Sequence, residues 1–279
     1  MSLLKRITEN ELPIKQQRVI ENILEDLETN AFLTGHEICQ KFHVSFSSLT
    51  RMSKSLCYTG FPELKKEIEN LYKNEFSPTG QAESFISSTK EGSILDIVYQ
   101  DEINRMAKLR KSLDEEQLLN IVKKINNAKR VFLVGVGVVE PIVHKFASSL
   151  KLLGLQCHTF TSLGFSKQTQ IHSLNQSDVA IIFSINKELL ELKEFLEELS
   201  DKETTSVLFT DKRAARLSSH ATYSLYTPSQ GSAMINCLTP YLVATNIVES
   251  YLFSLDKHAH LSKIKNIEKQ WDDLPIFLT

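Results

Sequence analysis

The sequence predicts an all-α N-terminal domain built on a helix-turn-helix, followed by an α/β domain with a doubly wound parallel sheet. Three observations carry that expectation. Residues 1–76 repeat apolar side chains only at the three-to-four spacing of helices, with no strand signal. Residues 77–92 lose the period and collect Ser, Pro, Thr and Gly, the composition of a connection. Beyond them, short β-branched or apolar runs alternate with helical stretches, the pattern of βαβ units on a parallel sheet. The domains are thus expected at 1–76 and 93–279, with 77–92 as linker; 279 residues suit two domains at ~100–200 residues each.

In the first domain Ile14, Val19, Ile20, Ile23, Leu24 and Leu27 mark one helical face, and Phe61, Leu64, Ile68 and Leu71 another. Between them Thr34-Gly35-His36-Glu37 is a capping box, so a helix starts at about Gly35, buries Ile38 and Phe42 and stops at His43. Ser45 then caps a second helix bearing Leu49, Met52 and Leu56. A second helix so placed can enter a DNA major groove, bringing Ser45, Phe46, Ser47, Ser48, Thr50, Arg51 and Lys54 to bases and phosphates. Arg51 suits bidentate reading of guanine and Lys54 suits a phosphate, with Lys41, Lys65 and Lys66 flanking. A plain helical hairpin satisfies the periodicity equally well. Charge decides little over the domain, where ten Lys/Arg face eleven Asp/Glu, but from Lys41 to Lys66 the sole acid is Glu63 against five bases.

The run Val44-Ser45-Phe46-Ser47-Ser48-Leu49-Thr50-Arg51, then Leu56-Cys57-Tyr58-Thr59-Gly60-Phe61-Pro62-Glu63-Leu64-Lys65, resembles the RpiR-type helix-turn-helix signature. The resemblance implies a double-stranded DNA operator as partner. Cys39 and His43 stand where that motif usually has a small Ala and the turn Gly; Cys is compact and His tolerates positive φ, so the turn is expected to survive.

In the second domain, helical patterns over Ile94 to Leu113 and Glu115 to Ile125 lead to strands at Val131–Val134, Val179–Phe183 and Ser206–Phe209. A weaker strand, Ala221 to Tyr226, and a last apolar helix, Cys237 to Phe253, complete the set. Val134-Gly135-Val136-Gly137 reads as a strand running into a glycine turn, with a helix and Pro141 in its first turn following. Such a turn either offers amides to an anion or marks tight packing at a strand-to-helix corner. It is no dinucleotide fingerprint, because Glu140 stands at the third glycine.

In its order of elements, Ile94 to Phe253 is similar to the SIS (sugar isomerase) domain that RpiR-type regulators carry, and Leu153 to Thr161 looks like its second strand. The resemblance implies a sugar-phosphate effector held near Gly135, Val136, Gly137, Ser184, Asn186 and Lys187. It also implies a Ser where Val139 stands and an S-x-S-G-x-T loop where Ser184-Ile185-Asn186-Lys187-Glu188-Leu189 keeps only the leading Ser. Lys187 stands near the start of a helix that Asn186 is placed to cap; there it either meets an anion or is one more solvated charge beside Glu188, Glu191 and Lys193.

No catalytic residue maps by motif, no cofactor is implied, and His144, His158, His172 and His220 lack ligand spacing, so neither enzyme nor metal site is expected. Cys39, Cys57, Cys157 and Cys237 form no C-x-x-C pair and read as reduced thiols. No run approaches the ~18 residues of a membrane span, and Met1 to Arg6 lacks a secretion signal, so a cytoplasmic protein with no membrane partner is expected. The sequence leaves two regulators open: a homodimer or homotetramer switched by a sugar phosphate, or a constitutive DNA binder whose second domain is only an oligomerisation scaffold. A sugar-phosphate isomerase is the third reading.

Overall fold

The computed structural model describes residues 3, 6–7, 10, 12–25, 27–75, 77–88, 93–164, 170–212, 215–230 and 237–272. The chain divides into two compact units, the first ending at Ile94 and the second beginning at Leu95.

The first unit is helical among its described residues: α1 (Ile14–Glu25), α2 (Leu27–Asn30), α3 (Gly35–Phe42), α4 (Phe46–Ser55), α5 (Phe61–Glu75) and α6 (Pro78–Ser88). Its core is the stripe read from the sequence, with Ile20, Ile23, Ile38, Leu49, Met52, Leu56, Phe61, Leu64 and Ile68 buried together. Helix α6 corrects the linker expectation. Ser77 accepts the Gly80 N–H on its hydroxyl at 3.0 Å, and a proline opens the helix, so Ser-Pro is here a start signal and not a break. The helix packs on α5. Residues 89–92 of the expected connection lie outside the described residues.

The second unit holds five parallel strands in the order β2-β1-β3-β4-β5: β1 (Val131–Val134), β2 (Cys157–Phe160), β3 (Val179–Ser184), β4 (Thr205–Thr210) and β5 (Tyr223–Tyr226). Around it stand α7 (Ile94–Ser112), α8 (Glu115–Asn126), α9 (Glu140–Leu152), α10 (Leu190–Asp201), α11 (Thr239–Leu255) and α12 (Lys257–Asp272). The strand pleat sorts the side chains. Val131, Leu133, Ile181, Phe183 and Phe209 pack with α8, α9 and α11, while Phe132, Val134, Ala180, Ile182 and Leu208 pack with α10. Both faces are covered, which is why the strands read as continuous apolar runs. The chain reverses its winding between β1 and β3, the position at which open α/β sheets bind ligands outside the carboxyl ends of their strands.

Helix α12 lies beyond the last element expected. Its sequence is mostly polar, and it is anchored by buried His260, whose Nδ1 lies 2.9 Å from the Leu153 carbonyl. Among the described residues no helix is long and apolar enough to cross a membrane.

Candidate nucleic-acid interface and effector edge

The turn between α3 and α4 is built from the residues that the sequence singles out. Thr34 accepts the Glu37 N–H on its hydroxyl, and the Glu37 carboxylate takes the Thr34 N–H at 2.7 Å, so the capping box is complete. Those bonds hold the Glu37 carboxyl below the usual carboxylate range. His43 ends α3 in the left-handed region, at φ 53 and ψ 46, with its N–H bonded to the Cys39 carbonyl. An imidazole thus occupies the conformation in which glycine is least strained. Ser45 caps α4 by accepting the Ser48 N–H at 3.2 Å.

Helix α4 turns Leu49, Met52 and Ser53 inward and leaves Ser45, Phe46, Ser47, Arg51 and Lys54 exposed, with Ser48 and Thr50 half-buried at the margins. At 100° per residue, Ser47, Thr50, Arg51 and Lys54 share the solvent face. Several polar groups are committed within the helix. The Thr50 hydroxyl donates to the Phe46 carbonyl at 3.0 Å, Arg51 Nε donates to the Ser47 carbonyl at 3.4 Å, and the Ser45 and Ser47 hydroxyls lie 3.0 Å apart. Phe46 has two roles: the residue is 55% exposed, yet its ring meets Phe61 edge-on at 6.4 Å and lies where any Cβ on Gly35 would come within 2.7 Å.

The flanking bases differ from expectation. Lys65 donates to the Ala31 carbonyl and pairs with Glu69 at 3.5 Å, and burial pulls its ammonium below the ordinary lysine value. It serves the fold of its own unit. Lys41 is exposed but donates to the Asn30 side chain at 2.7 Å, whereas Lys66 is exposed.

At the carboxyl edge, the sheet order brings the two candidate loops to adjacent strands, the glycine turn after β1 and residues 185–189 after β3. Gly135 is a packing glycine, since a Cβ there would lie 2.8 Å from both Val139 and Val143. Gly137 is a conformational one, at φ 74 with open space around it. Its N–H donates to Oε1 of Glu140 at 3.1 Å, so the chain's own carboxylate accepts the proton that an anion would take. Val139, where the resemblance implies Ser, is buried.

The second loop repeats the arrangement. Asn186, at φ 64, donates its N–H to both carboxylate oxygens of Asp211 at 3.0 Å each, and Ser229 donates its hydroxyl to the same carboxylate at 2.5 Å. Asp211 is buried; burial pushes its carboxyl above the ordinary 3.8, while the bonds from Ser229 and Asn186 pull the other way. The next helix begins at Leu190 with Leu189 in the N-cap position and no side-chain cap, so Asn186 does not cap it. Ser184 is buried, its carbonyl accepting from the Tyr241 hydroxyl at 2.6 Å, and Lys187 is exposed. Glu188 accepts the Leu217 N–H at 2.9 Å. Motif spacing marks neither Glu140 nor Asp211 as partner to these amides; the position of Glu140 at the missing third glycine was the one available hint.

Residues 1–75 match the helix-turn-helix domain of the rpiR family, and residues 124–253 match the SIS domain. An uncharacterized HTH-type transcriptional regulator of Haemophilus influenzae is 24% identical over 235 residues, covering 80% of this chain and 76% of its own length. Among solved structures, the NanR protein of Vibrio vulnificus, complexed with ManNAc-6P, aligns with 99% of this chain and 100% of its own at a TM-score of 0.61 and 17% identity. The sugar isomerase domain of an RpiR transcription factor from Sphaerobacter thermophilus aligns with 62% of this chain and 99% of its own at a TM-score of 0.58 and 16% identity.

Proposed function

Since the chain belongs to the RpiR-type transcriptional regulators, joining their helix-turn-helix to a SIS domain, we propose that α4 reads an operator and that a phosphorylated sugar or related anion at the sheet's carboxyl edge sets its affinity. The observation that carries the reading is the split of α4 into a buried face and a solvent face bearing Ser47, Thr50, Arg51 and Lys54, immediately after the left-handed turn at His43. That the structurally similar Vibrio vulnificus NanR is complexed with ManNAc-6P supports a sugar-phosphate effector. We place the reader at 1–76 and the effector half at 93–279. The protein acts in the cytoplasm as a homodimer or homotetramer, pairing two recognition helices on half-sites about one helical turn apart, and it is not an enzyme. A coupling of ~1–3 kcal/mol between effector and operator is enough for a several-fold change in DNA affinity.

The test is a gel shift on the DNA upstream of the protein's own gene, with Arg51→Ala and Lys54→Ala beside the wild type. Losing the Arg51 contact costs ~1–3 kcal/mol and blurs sequence preference; losing Lys54 weakens all sequences and flattens the salt dependence. Unchanged affinity in both variants overturns the assignment of α4.

The bonds of Glu140 to the Gly137 amide and of Asp211 to the Asn186 amide favour a second reading, in which no anion binds and the SIS domain is an oligomerisation scaffold. A thermal-shift screen with hexose, pentose and amino-sugar phosphates separates the two. A rise in Tm that Lys187→Ala removes supports the switch; no rise supports the scaffold.

A further inference from the structure

A chain of polar contacts continues from the effector loop across the carboxyl edge of the sheet and ends on α7. Asn186 donates to Asp211, and Ser229 donates to the same carboxylate. The Ser229 carbonyl accepts the Cys237 N–H at 2.9 Å, and the Cys237 thiol donates to Oε1 of Glu102 at 2.9 Å. Arg105, only 2% exposed, donates from Nη1 to that same oxygen at 2.6 Å and from Nε to the Gln230 carbonyl at 3.2 Å. Glu102 Oε1 therefore receives both donors. The Glu102 side chain is 30% exposed, but its other oxygen, Oε2, is buried and has no hydrogen-bond partner among the described residues, and Thr227, fully buried just past β5, holds a second such oxygen on the same edge.

A buried carboxylate oxygen without a donor is costly to keep, and native structures rarely carry one that serves nothing. Arg105 meets Glu102 at Oε1 and also donates from Nη2 to Asp101 at 3.5 Å, so neither of its outer nitrogens reaches Glu102 Oε2, which still needs a hydrogen-bond donor. Resting on the effector reading above, we infer that Glu102 is the carbohydrate-recognising residue of the effector site, its Oε2 accepting from a ring hydroxyl or amino group of the sugar. A phosphate alone offers this acceptor little, which assigns discrimination between a sugar phosphate and free phosphate to Glu102. Helix α7, which carries it, is the first helix of its unit in sequence.

The experiment is calorimetric titration of the full chain with ManNAc-6P, glucose 6-phosphate and glucosamine 6-phosphate, each compared with inorganic phosphate, on the wild type, Glu102→Gln and Glu102→Ala. Glu102→Gln retains an oxygen for Arg105 and keeps the test open if the alanine variant does not fold, which circular dichroism reports. The expected result is an ester bound at least about tenfold more tightly than inorganic phosphate by the wild type, with that preference falling about tenfold in Glu102→Gln while phosphate affinity is unchanged. An ester preference untouched by Glu102→Gln overturns the inference and leaves the effector reading standing. No binding of any ester or of phosphate to the wild type overturns both, with the gel shift on α4 unaffected.

Discussion

The backbone N–H of Gly137 donates to Oε1 of Glu140 at 3.1 Å, which places a carboxylate of the chain at the first glycine turn of the SIS domain. An incoming phosphate must displace that side chain and also meet its charge.

Glu140→Ala is therefore expected to strengthen binding of inorganic phosphate about tenfold, as the turn amide and the start of α9 are freed. The same change removes an acidic group from the first turn of α9 and lowers stability by about 0.3–1 kcal/mol. Calorimetry and urea unfolding read the two effects, which have opposite signs. Equal or weaker phosphate binding by the variant contradicts the competition.

His43→Gly is expected to stabilise the helical unit by about 0.5–1 kcal/mol, because relief of the left-handed strain exceeds the added flexibility of the unfolded chain. Urea unfolding checks it. A variant less stable than the wild type shows that the imidazole makes a contact worth more than the strain.

Lys65 and Lys66 are adjacent in sequence but face different tasks. Lys66→Ala is expected to lower the slope of log affinity against log salt in operator binding, by about one if Lys66 meets a phosphate. Lys65→Ala is expected to leave the slope unchanged and to destabilise the fold by about 1 kcal/mol, as the Ala31 carbonyl loses its donor. The reverse pattern returns Lys65 to the interface.

Asp211 gives a pH dependence of definite sign. Burial raises its carboxyl above the ordinary 3.8, so the folded protein binds a proton more readily than the unfolded chain, and the group's contribution to stability declines as pH rises from 3.8 through the folded value. Urea unfolding of the wild type and Asp211→Asn at pH 4 and pH 7 is expected to favour the wild type more at pH 4. A wild-type advantage that grows toward pH 7 shows instead that the bonds from Ser229 and Asn186 outweigh burial.

The parts of this fold legible in sequence are those fixed by short-range rules. The capping box at Thr34, the cap at Ser45 and the apolar strands each declare themselves within a few residues. Ser77 and Pro78 show the limit, since the same two residues break a helix or begin one depending on whether the following turn is packed, as α6 is on α5. Helix α12 went unread because it is held by single anchors such as His260 and lacks an apolar stripe. At the carboxyl edge of the sheet the glycine turn at Gly137 is legible, but the pattern presents Asn186 as a helix cap and not as the backbone donor it is, and it marks the partner of neither. Asp211 reaches Asn186 from 25 positions along the chain and Glu102 meets Cys237 across 135, separations at which local pattern carries no information.

The hydroxyls of α4 bear on the genome that such a reader must search. On the proposed reading, with the Ser45 and Ser47 hydroxyls 3.0 Å apart at the cap and Thr50 donating to the Phe46 carbonyl, most of the direct discrimination between bases falls to the outer nitrogens of Arg51. One copy of the helix can then specify only a few base pairs, a word short enough to recur by chance many times in a bacterial chromosome. In the proposed dimer or tetramer, uniqueness comes from grammar, the fixed distance between two such words, and whatever sets that distance decides which genes such a reader can address.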